Sequence, residues 1–442
     1  MASKFKRPTS YTGLSILFII GLLAPTIASA QQAIIPLQLS FSDPGARSMA
    51  FGGAFIALAD DATAAFSNPA GLVQLLEPEI SLEGRHWSYS TPYTVGGRAE
   101  GLPSGFGTDT TVGLRTSTSD EDLAGLSFIS LAYPLGDWSL AVFRHENANL
   151  EFSSETQGIF YGGTDCCQER FFDQQTTSEL DFISYGLSAA RRLSDEFVVG
   201  LGLVYHDASI ESNVSQFLWD EDSIQSFFAP NSYLPERSLI SQQSFVRDSD
   251  WSLTGGFLWR VSDNWSIGGV YRQGFETIIN FEARAGELVD FGVPPGEVIA
   301  RESGGPIEFP DIYGLGFAYR APDGRLTVTF QWDRVEYSDI PRSLDLDDQW
   351  IDDADELHLG AEYVFLQSTP IIAVRFGAWL DPDHQMYATT DDPILRALMP
   401  RNDDEIHVAA GIGLAMEKFQ IDLAMDFADL ADTLSLSAIY SF

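Results

Sequence analysis

Connections in this chain come in two lengths, and they take turns. Fourteen segments with alternating apolar and polar side chains can be read at 79–90, 122–135, 137–153, 179–193, 196–211, 250–261, 264–282, 310–320, 325–337, 356–365, 371–381, 405–416, 419–427 and 433–442. Tight links rich in turn formers stand at Leu135-Gly136-Asp137, Ser194-Asp195, Ser262-Asp263, Pro322-Asp323-Gly324, 367–370 and Glu417-Lys418. Between them lie long stretches at 91–121, 154–178, 212–249, 283–309, 338–355 and 382–404. Short and long alternate until a last brief outer link at 429–432. A water-soluble sandwich has no reason to sort its loops by length. A transmembrane barrel does, with short turns on the inner side, long loops outside and an even strand count.

Phase assigns the two faces of each strand. In the ninth, Leu326, Val328, Phe330 and Trp332 share one side, and Thr327, Thr329, Gln331 and Asp333 the other. In the thirteenth, Phe419, Ile421, Leu423, Met425 and Phe427 face lipid and leave Gln420, Asp422 and Asp426 to the lumen. Trp138, Trp251, Trp259, Trp265 and Trp332 fall near strand ends, where aromatic girdles meet the membrane interface. The expected fold is an all-β, fourteen-stranded antiparallel transmembrane barrel.

Three further features fit an outer membrane. Lys4, Lys6 and Arg7, an apolar run at 14–23 and the small residues Ala28-Ser29-Ala30 read as a cleaved signal peptide over residues 1–30. That run is too short to span a bilayer as a helix, and no later stretch is long enough. The last strand alternates down to Phe442, an ending that resembles the signal outer-membrane barrels show to their assembly machinery. With a formal charge of −38, binding to nucleic acid or to an anionic lipid surface is disfavoured. Cys166 and Cys167 are adjacent, which gives no disulfide framework and no metal-ligand spacing; a vicinal disulfide and two free thiols both stand as readings.

Residues 31–78 precede the first strand and are placed where they can fold into the barrel. They carry Gly45, Gly52-Gly53, Ala59-Asp60-Asp61, an Ala-rich helical turn and then Asn68-Pro69-Ala70-Gly71. Glycines allow close backbone approach, an aspartate can cap the short helix, and Asn-Pro marks a turn. At these residues the chain resembles the FadL family of outer-membrane transporters for long-chain fatty acids and other hydrophobic compounds. The resemblance implies a hatch at 31–78 inside a barrel at 79–442, with Asn68, Pro69 and Ala70 as the hatch motif. It also implies a ligand groove between outer loops, a pocket below it, and a sideways exit at an inward kink in the third strand.

Candidate residues can be set against that scheme. Phe217, Leu218, Trp219, Phe227 and Phe228 give the third long loop more apolar surface than an outer loop needs. They read as an initial ligand groove, with Val289, Phe291 and Val293 of the fourth loop as partner wall, or as self-packing of a long loop. The third strand places Arg144 and Glu146 in the lipid-facing phase, where a charge near the midplane costs about 2–4 kcal/mol. Either the strand bends inward around Arg144, Glu146 and Asn147, the candidate lateral exit, or it has already reached the outer interface. Arg85, Arg272 and Arg375 are lumenal and able to hold a fatty-acid carboxylate, although a structural salt-bridge network with acids such as Glu83, Glu362 and Asp422 is the better reading.

The function expected is uptake of hydrophobic compounds such as long-chain fatty acids or aromatic hydrocarbons. The alternative is a structural or protein-secretion barrel that presents partner proteins at the cell surface. An enzyme is disfavoured, because His86, His206, His358 and His407 occur with no Ser-His-acid arrangement apparent. No cofactor, metal or catalytic residue is expected. The partners expected are membrane lipid and lipopolysaccharide, a hydrophobic ligand and the barrel-assembly machinery, with the protein a monomer.

Overall fold

The structure, a computed structural model, describes residues 42–162, 169–219, 224–230 and 233–442. The expected signal peptide, the first residues of the expected hatch (31–41), and Cys166 and Cys167 lie outside the described residues. Six strands come first: β1 (Glu79–Arg98), β2 (Leu114–Leu135), β3 (Trp138–Thr156), β4 (Asp173–Arg192), β5 (Phe197–Phe217) and β6 (Ser238–Arg260). Two broken strands follow, β7 as Trp265–Arg272 and Glu276–Ala285, and β8 as Val298–Glu308 and Ile312–Arg320. The last six are β9 (Leu326–Val335), β10 (Ala354–Phe365), β11 (Ile371–Asp381), β12 (Glu405–Ala415), β13 (Phe419–Phe427) and β14 (Ala431–Ser441). Each pairs antiparallel with the next, and β14 pairs with β1 from Glu79↔Ser441 to Tyr89↔Ala431. The result is a closed fourteen-stranded antiparallel barrel without a free edge.

Several strands run further than their alternation predicts. The tops of β1, β2, β5 and β6 and the upper piece of β8 fall in stretches that read as outer loops. Above a bilayer both faces of a strand are wet, so nothing forces the polarity to alternate there. Where lipid is met, it does. Leu326, Phe330 and Trp332 on β9 and Phe419, Ile421, Leu423, Met425 and Phe427 on β13 are exposed, whereas Thr327, Thr329, Gln331, Asp333 and Asp422 are buried inside. The five girdle tryptophans are all outward and exposed. A polar interior under a greasy exterior suits a hydrocarbon solvent. Among the described residues no helix is long and apolar enough to cross a membrane.

Residues 42–75 lie within the ring of strands, held to inward-facing groups on many of them. The segment contains two short helices, α1 (Ala46–Ala50) and α2 (Ala64–Ser67), and a 3-10 helix, Pro69–Gln74. Gly45, at φ 98°, donates its N–H to Glu83 Oε2 of β1 at 2.9 Å. On the far side Gln331 Oε1 of β9 accepts from the backbone of Phe55 and of Ile56, each at 2.9 Å. The wall receives this backbone where it has no side chains: a Cβ on Gly377 of β11 would stand 2.1 Å from the Gly52 nitrogen. Asn68 is fully buried, donating from Nδ2 to the carbonyls of Ile56 and of Phe257 on β6 at 3.0 Å each, while its Oδ1 accepts from Ala70 N at 3.2 Å.

Candidate functional site

Above the inner segment is a cavity of about 140 Å³. Asp43, Gly52 and Gly53 form part of its floor, Trp87 and Tyr89 of β1 one wall, and Asn147, Ala148, Leu150 and Glu151 of β3 another. The cavity therefore reaches the part of β3 that the sequence marks out.

At that place the hydrogen-bonded ladder of the barrel wall is interrupted. β2 and β3 pair from Leu135↔Trp138 up to Phe128↔His145 and no further, although β1 still holds β2 as far as Leu114 and β4 holds β3 as far as Thr156. Each strand carries one extra residue where the pairing ends. The register slips at Ser127 in β2, between Glu83 and Gly84 of its partner, and at Asn147 in β3, between Glu146 and Ala148. Such bulges re-aim the residues beyond them. Ala148, Leu150 and Phe152 now point inward and are buried. The strand has no glycine here; instead Asn147 Nδ2 donates to Ser184 Oγ at 2.7 Å, and Ser184 bonds His206 Nδ1 at 2.8 Å.

Arg144 and Glu146 lie in the gap. The Arg144 guanidinium donates to the Leu126 carbonyl of β2 and stands 3.5 Å from Glu146 Oε2. Glu146 is buried despite its outward phase. The two charges are thus neither in hydrocarbon nor in the lumen, but across the opening.

A second discontinuity lies in β7 and β8, at 273–275 and 309–311, which the sequence did not signal. Gly274 N donates to Asp311 Oδ1 at 2.6 Å, and Phe275 and Phe309 stack at 4.3 Å and 6°. Phe182 and His206 pack on Phe275 at 4.7 and 4.4 Å, which gives this wall an aromatic inner face.

Outside the membrane, the loop aromatics are only partly assembled as expected. Trp219 meets Phe227 edge-on at 5.2 Å, and Phe227 meets Phe228 at 5.0 Å. Their ring partners are Phe160 and Phe172 of the second long loop and Phe106 of the first. Two buried ion pairs brace the cluster, Arg98 with Asp109 and Arg170 with Asp173, and both arginines lie over the Phe160 ring. Phe217 is apart from it, at the end of β5 against Tyr233, and Leu218 N donates to the Arg237 carbonyl. Phe106 remains 66% exposed, so the cluster offers an apolar face to the outside.

The three lumenal arginines are engaged by the protein itself. Arg85 binds Glu83 at 2.7 Å and also Ser42 and the Asp43 carbonyl; Arg375 binds Glu362 at 2.7 Å and Asp422 at 2.6 Å. Arg272 binds Asp43 at 2.7 Å and the Ser67 carbonyl, yet it alone of the three also lines the cavity. Asp60 of the inner segment is another such site. Burial alone would raise its pKa, but Arg47 at 2.5 Å and Arg320 at 2.8 Å hold the carboxyl well below its ordinary 3.8.

Opposite the gap stands a set of residues that sequence reasoning did not assemble. His358, Trp379 and His407 face one another across β10, β11 and β12, and their rings stack at 5.2 and 3.9 Å. On the adjacent rung, Asp333 of β9 is opposite Glu356, and Asp381 is opposite Glu405. His86 is outward and exposed. Among the described residues there is no Ser-His-acid triad: His206 bonds Ser184 and Ser252, whereas His358 and His407 face carboxylates.

No family model matches the chain, and no curated protein sequence matches it either. Solved structures do. A Pseudomonas aeruginosa FadL homologue superposes with a TM-score of 0.61 at 15% identity, covering 93% of this chain and 100% of that one. The P. putida toluene transporter TodX superposes at 0.53 with 16% identity over 91% of this chain and 98% of its own. For the CymD monoaromatic hydrocarbon channel the score is 0.52 at 17% identity, over 92% and 99%. The chain shares the fold of these barrels over more than nine-tenths of its length.

Proposed function

We propose that this chain is a FadL-type outer-membrane channel for small hydrophobic molecules, long-chain fatty acids or aromatic hydrocarbons. The observation that carries the reading is the gap between β2 and β3, bounded by two bulges and reached by the lumenal cavity. An apolar solute has little to gain from an aqueous pore through to the periplasm, and the inner segment fills that route. A side opening lets it pass from a shielded pocket into lipid. The outer aromatic cluster around Trp219, Phe227 and Phe228 supplies the landing surface, and the fold shared with a toluene transporter and a hydrocarbon channel supports the class of cargo.

On this reading residues 1–30 export the chain, 31–78 form the hatch and 79–442 the barrel, inserted by the assembly machinery as a monomer in lipid and lipopolysaccharide. Arg144 and Glu146 then act as the polar latch of the side opening, and Arg272 is the one lumenal arginine placed to meet a carboxylate headgroup.

Deleting Ser127 and Asn147 together removes both bulges and lets the β2–β3 ladder continue. Uptake of radiolabelled oleate or toluene is expected to fall to that of cells lacking the protein, while heat-modifiable migration shows an assembled barrel. Full uptake in this variant removes the side exit. No protein-dependent uptake of any apolar solute by the parent overturns transport in favour of the surface-presentation role.

A further inference from the structure

The acid-histidine wall has a composition unlike the rest of the lumen. Asp333, Glu356, Asp381, Glu405 and Asp426 line the cavity, and among the described residues none of them pairs with an arginine or lysine. Glu83, Asp43, Glu362 and Asp422, elsewhere inside the barrel, are each matched by a guanidinium group. Five acids here are faced by three histidines, His358, His384 and His407, so the wall carries an excess of buried carboxylates that favours a bound cation.

We propose that Asp381, Glu405 and His407 hold a divalent transition-metal cation of the zinc class. Asp426 Oδ2 lies 2.9 Å from His407 Nδ1. A carboxylate can only accept there, so Nδ1 carries a proton, and Nε2 is the ring nitrogen turned toward the other two acids, with a lone pair to offer a metal once it gives up any proton of its own. That Nε2 is buried and has no hydrogen-bond partner, in a residue 7% exposed. It stands 3.7 Å from Glu405 Oε2 and 3.9 Å from Asp381 Oδ2. Those separations are too long for hydrogen bonds. They match the edge of a coordination polyhedron, since ligands each ~2.1 Å from a tetrahedral ion lie ~3.4 Å apart.

The ligand atoms of the three residues can all lie within 4.8 Å of one another, and all three residues are buried. An imidazole with two carboxylates and one open position is an ordinary donor set for zinc, and Asp426 is the kind of outer carboxylate that orients a metal-bound histidine. A sister cluster, Asp333, Glu356 and His358, repeats the plan one strand pair away. There, the anchoring acceptor for Nδ1 is the Gly52 carbonyl of the inner segment, at 2.7 Å.

The site stands on its own geometry, independent of what the barrel transports. The test uses the full-length protein in detergent, stripped with EDTA and titrated with ZnCl₂ by calorimetry and with CoCl₂ by visible absorption. His407→Gln is expected to bind one equivalent fewer than the parent and to lose the corresponding cobalt bands. Asp426→Asn keeps every ligand, and its affinity is expected to fall about 10–100-fold at unchanged stoichiometry. It also serves if His407→Gln does not assemble. Equal stoichiometry in parent and His407→Gln, no uptake by the parent, or unchanged affinity in Asp426→Asn overturns the site.

Discussion

The two halves of the barrel wall are built differently. β1 to β6 run from 19 to 23 residues, whereas β9 to β14 run from 9 to 12. A tilted strand of about 9–11 residues suffices to cross a bilayer. The second half therefore crosses and stops, and the first rises well above the membrane. Irregularity follows the same division. The pairings from β9 through β14 contain no register slip, while both bulges and the gap lie in the tall half and the broken strands at its border. The regular half acts as a frame for ion pairs and the inner segment. The β2–β3 gap lies in the half that can spare ladder bonds because it has so many.

The contrast predicts different consequences for loss of charge. Arg375→Ala strands Glu362 and Asp422 inside the short half, and a cost of about 3–5 kcal/mol is expected from the urea midpoint of the folded barrel in lipid vesicles. Arg144→Ala in the tall half should cost less than Arg375→Ala, because Arg144 is itself partly exposed, meets one carboxylate at 3.5 Å instead of two at 2.6 and 2.7 Å, and leaves Glu146 the Asn149 amide, yet it should alter solute uptake. Equal losses of stability would abolish the distinction.

Packing should show the same bias at smaller scale. Gly377→Val drives a side chain into the backbone of Gly52, and about 1–3 kcal/mol is expected, with raised leak of small hydrophilic solutes as the inner segment shifts. For Asp60→Asn the effect depends on pH. The native carboxyl is held below 3.8, so its stabilising contribution is complete above that value and disappears as pH falls through the lower folded-state pKa. Parent and variant midpoints should differ at pH 7 and converge in strong acid. The smallest change in stability belongs to Trp219→Ser with Phe227→Ser, far above the membrane. There the barrel midpoint should hold while uptake of the apolar solute drops.

Sequence and structure agree where one solvent dictates the pattern. In β9 and β13, lipid on one face and polar lumen on the other force strict alternation, and both strands are found in the expected phase. Ser238 to Asp250 in β6 has water on both faces and reads as a loop, although it pairs with β5 at every residue but Leu239. Arg144 and Glu146 were legible as a conflict, two charges in a greasy phase; that Asn147 resolves it by a bulge was not, since no glycine or proline marks the spot. The acid-histidine wall was illegible for another reason. His358 and His407 become neighbours through Trp379 only once the registers of three strands are known.

One consequence of the inner segment concerns the order in which the molecule can be made. Its backbone is pressed against wall glycines, and the Asn68 amide is locked to a carbonyl of β6, with no side-chain cushion that could yield to a late arrival. Once β14 has zipped to β1, residues 42–75 would have to thread through a ring already occupied by inward-facing arginines and carboxylates. Closure must come last. The growing sheet is then expected to curl around a segment that is already in place, with residues 42–75 serving as a mandrel for the barrel.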